Sequence, residues 1–146
     1  MRSLWLRFWL GRAVVLLPAY WAGMLVGVSF LATLAKFQAP SLTLPVALDV
    51  GRVTFHLFNR VEWGCALVLL GLVLLTRKRL RFRLPLVLLL LGLLVLQTFW
   101  LLPGMDARID LLFRGQPLPA QGLDLHQIYF YSDILKEILL FWLGCS

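Results

Sequence analysis

Long apolar runs separated by short polar links dominate this chain. Four runs of about 19 to 23 residues cover positions 13–35, 53–75, 84–102 and 125–143. A bilayer's hydrocarbon core, about 30 Å thick, is crossed by about 20 helical residues at a rise of about 1.5 Å each. Each run is therefore long enough to cross a membrane as a helix. Ten-residue segments of alternating polarity, which mark membrane barrels, are missing from the sequence, so the pattern predicts helices.

Composition places the chain in the same class. Hydrophobic residues make up 61% of the 146 positions and charged residues 14%, and the mean hydropathy is +0.88. Soluble domains have roughly 45–50% apolar and about 25% charged residues. We therefore expect an all-α, polytopic membrane protein whose residues 1–146 form one four-helix transmembrane bundle.

The distribution of basic residues predicts the orientation. Of the fourteen Lys and Arg residues, three precede the first run and five lie within positions 77–83, between the second and third runs. The positive-inside rule then places both termini and this link in the cytoplasm, as in a bacterial inner membrane. The first run is too long for a signal-peptide core of about 7–15 residues, so we interpret it as a retained span.

The excess of positive charge also bears on partners. The formal net charge is +7, but basic residues beside membrane spans commonly set topology and contact anionic lipid heads. The expected partner is therefore the lipid bilayer and not nucleic acid. A second copy of the chain and another membrane protein both remain possible partners.

Polar side chains inside the second and fourth runs are the candidate functional residues. A charged residue within a span is costly unless it is paired or hydrated, so it marks either a functional site or a buried lock between helices. Depth counted from the same membrane face predicts that Arg60 pairs with Asp133 or Glu137, whereas helical spacing turns Glu62 away from the stripe that carries Arg60. The predicted intramembrane polar cluster comprises His56, Asn59, Arg60, Glu62, His126, Asp133, Lys136 and Glu137.

Three functions remain open for this cluster. It could lock two helices in a small scaffold or accessory component, bind or carry a solute or ion, or hold a haem between His56 and His126. The sequence lacks nucleophile–base spacing, a metal-ligand cluster and a phosphate-binding loop. Cys65 near mid-membrane and Cys145 at the cytoplasmic end are too far apart to share a disulfide. We therefore expect a non-enzymatic protein with no catalytic residue, no metal site and no cofactor.

Two glycines in the first run indicate a helix contact. Gly23 and Gly27 lie one turn apart and form a shallow groove that a neighbouring helix backbone can approach closely. We expect that neighbour to come from the same chain and not from a second copy.

The link between the third and fourth runs carries two local signals. It opens with Pro103-Gly104 and then shows an apolar stripe, which predicts a short external amphipathic helix on the membrane surface. At its far end, Asp124 is placed to cap the fourth helix by accepting backbone N–H groups. The apolar stripe is formed by Met105, Ile109, Leu112 and Phe113.

Several short elements follow one another in a set order along the chain. They are Trp21-Ala22-Gly23, Phe30 to Phe37 followed by Ala39-Pro40, Gly51-Arg52-Val53-Thr54-Phe55, Leu101-Leu102-Pro103, and Leu125-His126 with Ser132. This order resembles transmembrane protein 205 and its bacterial relatives. The resemblance implies a four-helix integral membrane protein of a family without an agreed activity. In those relatives the fourth span begins with His followed by Ser and Asn, whereas here the third position falls near Lys136-Glu137.

Overall fold

A computed structural model describes residues 2–77, 79–116 and 124–145, and these residues are almost entirely helical. Two of the helices change to π-helical hydrogen bonding for five to seven residues and then continue. In chain order the elements are α1 (Arg2–Leu25), a first π segment (Val26–Ala32), α2 (Thr33–Gln38), α3 (Leu44–Thr76), α4 (Leu80–Leu96), a second π segment (Gln97–Leu101), α5 (Leu102–Phe113) and α6 (Leu125–Cys145).

Within the described residues, three continuous helices are long and apolar enough to cross a membrane. They cover Phe8–Gln38, Leu44–Thr76 and Leu80–Phe113, with 31, 33 and 34 residues, and an 18-residue stretch of each has a mean hydropathy of 1.9, 1.6 and 2.3. Large apolar side chains such as Leu75 and Phe99 lie on the outside of the fold, as lipid-facing side chains do. These features indicate a multi-pass membrane protein. A span through α6, which carries three charged residues, stays a prediction.

The third helix runs through Pro103 into α5, beyond the end predicted for the third span at position 102. In a regular α-helix the proline ring would clash with the carbonyl of the residue four positions earlier. The second π segment ends at Leu101, two residues before Pro103, and the N–H of the next residue, Leu102, donates to the Gln97 carbonyl, five residues back. Such a widened turn accommodates the proline. The residues expected to form a separate surface helix thus extend the third helix, with Ile109 buried.

The four long helical elements pack in a ring in which α1 contacts α3 and α6, and α4 contacts α3 and α6. Buried apolar side chains of all four elements fill one end of the bundle, including Val14, Leu69, Leu90 and Leu143. A smaller apolar cluster of Phe55, Leu101, Leu102 and Tyr129 fills the other end. Along these helices, the buried side chains of Asn59, Glu62, Gln97 and Lys136 lie between the residues of the two apolar clusters.

The close helix contact expected within the chain at Gly23 and Gly27 is not found. A Cβ atom placed at either glycine would meet no atom within 4 Å. The first helix instead turns Trp21 and Leu25, both 0% exposed, toward the interior. These larger side chains bury more apolar area than glycines can, so they set the packed face.

A buried polar cluster as the candidate functional site

The candidate site is centred on the ammonium group of Lys136 in α6. Its Nζ atom lies 2.6 Å from Glu62 Oε1, 2.8 Å from Gln97 Oε1 and 2.9 Å from Asp133 Oδ1. An ammonium group has three N–H donors, and three acceptors stand around this one. The Lys136 side chain is 0% exposed. The charge is thus removed from solvent and held by two hydrogen bonds and an ion pair with Asp133.

Further hydrogen bonds extend the site to every long helix. Trp21 Nε1 in α1 donates to Glu62 Oε1 over 3.0 Å. The Gln97 amide nitrogen, at the start of the second π segment, donates to Ser132 Oγ over 2.6 Å and to Asp133 Oδ1 over 2.8 Å. We call this network the central cluster, and its members are Trp21, Glu62, Gln97, Ser132, Asp133 and Lys136.

The central cluster lies deep along the helices that build it. Glu62 is about 27 Å from the first residue of α3 and about 21 Å from its last, at about 1.5 Å per residue. A membrane core is only about 30 Å thick. If α3 spans the bilayer, Glu62 therefore lies close to its middle.

The formal charges of the central cluster do not balance. Two carboxylates, Glu62 and Asp133, face the single ammonium of Lys136. The second oxygen of Glu62 is buried without a hydrogen-bond partner. An uncompensated charge is costly in a low-dielectric interior. The second carboxylate therefore favours one additional positive charge in the cluster, supplied by a proton or a cation.

A second group of hydrogen bonds joins α3 to the second π segment. Thr98 Oγ1 donates to Asn59 Oδ1 and accepts from Trp63 Nε1, both over 2.9 Å. The Asn59 amide nitrogen is buried without a partner. These hydrogen bonds lie about one turn of α3 from Glu62. They hold α3 against the second π segment, the two elements that contribute Glu62 and Gln97 to the central cluster.

The predicted pairing of Arg60 with Asp133 or Glu137 is wrong. Arg60 is exposed, and Asp133 pairs with Lys136 instead. The buried face of α3 carries Asn59 and Glu62, and at about 100° per residue Arg60 points away from it. Glu137 is half-buried with one oxygen unpartnered.

The two histidines lie outside the central cluster. His56 Nε2 is 2.7 Å from Asp106 Oδ2, so this contact joins α3 to α5. In this arrangement the Nε2 atom faces a carboxylate and is not free to ligate a haem iron. His126 is exposed at the start of α6. Its backbone N–H donates to Asp124 Oδ1 over 3.1 Å, as does that of Gln127 over 3.3 Å, so the predicted capping role of Asp124 is confirmed.

Neither metal chemistry nor thiol pairing is visible in the described part of the chain. Residues 2–77, 79–116 and 124–145 contain no group of three or more His, Cys, Asp or Glu side chains placed to hold a metal ion. Cys65 and Cys145 are free thiols. The side chains of the central cluster can form hydrogen bonds and ion pairs and can exchange protons.

The fold and this site define a class: an all-helical, multi-pass membrane protein with a charged, hydrogen-bonded interior. Residues 16–109 match the family described as a domain of unknown function, DUF4149. This match covers more than half of the chain, so the protein belongs to that family. The matched region includes Trp21, Glu62 and Gln97 and ends before α6. Neither the curated proteins nor the solved structures contain a significant match.

Proposed function

We propose that this protein is a four-span membrane protein in which α6 is the fourth span. Support comes from the ring of helix contacts, in which α6 closes the gap between α1 and α4. The charges that make α6 less apolar also point into that ring, since Asp133 and Lys136 are 1% and 0% exposed. The distribution of basic residues supports cytoplasmic termini in a bacterial inner membrane.

The role that this geometry supports best is a non-enzymatic scaffold or accessory component whose helices are locked by the central cluster. The carrying observation is the Lys136 ammonium, which meets oxygen atoms of Glu62, Gln97 and Asp133 and no solvent. A buried polar network that joins several helices favours the one arrangement of those helices in which its hydrogen bonds form. A fixed helix arrangement is what a scaffold needs in order to present a constant surface to a partner. A kinship with transmembrane protein 205 is consistent with such a role and stays a prediction.

Cysteine labelling in intact membranes tests whether the lock is dry. In a background where Cys65 and Cys145 are replaced by alanine, we expect Asn59→Cys to resist a water-soluble, membrane-impermeant maleimide, since Asn59 is 4% exposed. Asp110→Cys is the matched control, because the Asp110 side chain is 54% exposed. Rapid labelling of Asn59→Cys would contradict a dry lock.

A second candidate function, binding or transport of a small cation, is favoured by a groove between the first helix and α6. The groove has a volume of about 430 Å³ and reaches Asp133. Ser29 Oγ and Tyr129 OH line it and have no hydrogen-bond partner. A cation entering there would also offset the extra negative charge of the central cluster.

The same labelling method separates this candidate from the lock. Thr33 lines the groove, and its hydroxyl donates to the carbonyl of Val28, which is not a member of the central cluster. Labelling of Thr33→Cys that is slowed by a monovalent cation would support a hydrated binding site. If Thr33→Cys is inert, the groove is filled by lipid or protein, and the cation-binding candidate fails.

A further inference from the structure

A second cavity lies at the end of the bundle where α2, α3, α5 and α6 meet. Its volume is about 260 Å³, just below the roughly 300–1,000 Å³ of typical small-molecule sites. Its wall is largely apolar and includes Phe37, Leu48, Phe55, Leu102, Ile109 and Leu125. The cavity shares no residue with the central cluster, so it is a separate site.

One cation on the wall of this cavity has no counter-charge. Lys36 Nζ lies 5.1 Å from the ring centres of both Phe37 and Phe55. Among the residues with described side chains, no carboxylate comes within 4.0 Å of it. By contrast, Arg52, which also lines the cavity, is paired with two aspartates.

The Lys36 ammonium lies in space that the missing side chain of Gly51 leaves open. A Cβ atom built at Gly51 in α3 would clash with Lys36 Nζ. Gly51 is itself buried. The absence of a side chain at Gly51 therefore allows the lysine to lie across α3, with its charge at the apolar cavity.

We propose that this cavity binds the acyl chain of an anionic amphiphile, whose carboxylate or phosphate head pairs with Lys36. A half-buried ammonium beside aromatic rings gains from an anion, because the charge is otherwise poorly compensated in an apolar setting. The apolar wall favours a hydrocarbon tail over a small polar anion. Free fatty acids and anionic phospholipids both combine an acyl chain with an anionic head.

A competition experiment tests the site. The protein is placed in nanodiscs of zwitterionic phosphatidylcholine, and dodecanoate displaces a fluorescent fatty acid. We expect Lys36→Gln to weaken dodecanoate binding at least tenfold by removing the charge, and Gly51→Ala to weaken it less, because the flexible Lys36 side chain can shift away from the added Cβ atom. The matched controls are Gly92→Ala, where an added Cβ meets no atom within 4 Å, and Arg60→Gln, which removes an exposed cation elsewhere; both should stay within twofold of the wild type.

Two further arms identify the chemistry and the source. Dodecyltrimethylammonium, which has the same tail and the opposite charge, should compete at least tenfold less well than dodecanoate. Nanodiscs containing phosphatidylglycerol should weaken dodecanoate binding if a bilayer phospholipid occupies the site, whereas unchanged binding would identify a free fatty acid.

The proposal is overturned if Lys36→Gln retains wild-type affinity, or if the cationic amphiphile competes as well as dodecanoate. Lys36 is only half-buried, so its substitution should leave the fold intact, and circular dichroism checks this.

Discussion

Two regions of this molecule use the same ion-pair chemistry in opposite environments. At the central cluster, Lys136 pairs with Glu62 and Asp133 through side chains that are 0–1% exposed. Near the start of α3, Arg52 pairs with Asp49 and Asp110 at 2.7 Å, through side chains that are 29–54% exposed. The distances are nearly equal, so distance alone cannot rank the two regions. Burial must therefore decide what each contributes.

The difference in burial predicts a large asymmetry in free energy. Exposed ion pairs contribute a median of about 0–1 kcal/mol, because water and salt screen them. Removing one partner of a buried pair typically costs about 3–5 kcal/mol, since it leaves a charge stranded. Polar contacts measured in one membrane protein average only about 0.6 kcal/mol. Substitutions in the central cluster would show whether a charge network that joins several membrane helices follows the value for buried ion pairs or the lower value for membrane polar contacts.

The largest effect is expected for Lys136→Met, which keeps the length of the side chain and removes its charge. Glu62 and Asp133 then lose their shared partner, and we expect the free energy of unfolding in detergent to fall by roughly 3–5 kcal/mol. Thermal unfolding followed by circular dichroism measures this. Arg60→Met, an equal loss of charge at an exposed position, is the control. Similar losses for both variants would break the proposed contrast between buried and exposed charges.

A smaller loss is expected for Glu62→Gln. The glutamine keeps an oxygen for Lys136 and Trp21 and removes one negative charge from a cluster that holds two carboxylates and one ammonium. We therefore expect a loss below about 2 kcal/mol, since the change trades charge-assisted hydrogen bonds for neutral ones. The double variant Glu62→Gln, Lys136→Met should be less destabilised than the sum of the single variants. Additive losses would mean that the two side chains are not coupled.

Trp21→Phe should have a still smaller effect. The change removes the Nε1 donor to Glu62 Oε1 and keeps an aromatic ring in the core. Breaking one hydrogen bond to a charged acceptor typically costs about 1.5–3 kcal/mol when buried, but Glu62 Oε1 retains Lys136 as a donor, so we expect about 1 kcal/mol. Trp63→Phe is a matched control, since it removes a bond to the neutral Thr98 hydroxyl. A larger loss at Trp63 than at Trp21 would indicate that Asn59 and Thr98 carry the lock.

The sequence indicated much of this architecture, because long apolar runs leave few alternatives to membrane helices. Glu62, Asp133 and Lys136 were identifiable as charges inside apolar runs. Their partners Trp21 and Gln97 were not, because an uncharged side chain in such a run gives no comparable signal. Equal depth in the membrane suggested that Arg60 could reach Asp133. The rotation of α3 instead turns Arg60 to the exposed face and Asn59 and Glu62 to the buried face. The two π segments were not predicted. They depend on a widened helical turn beside Pro103 and on side-chain packing, and neither changes the spacing of apolar residues along the sequence.

The smallest effect is expected for Arg52→Gln, at the exposed end of the comparison. The glutamine removes contacts with Asp49 and Asp110 where water can replace them, so the loss should be about 0–1 kcal/mol. It should shrink further when salt is raised from about 0.05 to 0.5 M, because the Debye length falls below about 10 Å. Lys136→Met measured at the same two salt concentrations should keep its full effect, since salt does not reach a dry cluster. A salt-dependent loss at Lys136 would instead show that water and ions enter the central cluster, and would favour the cation-binding function over the lock.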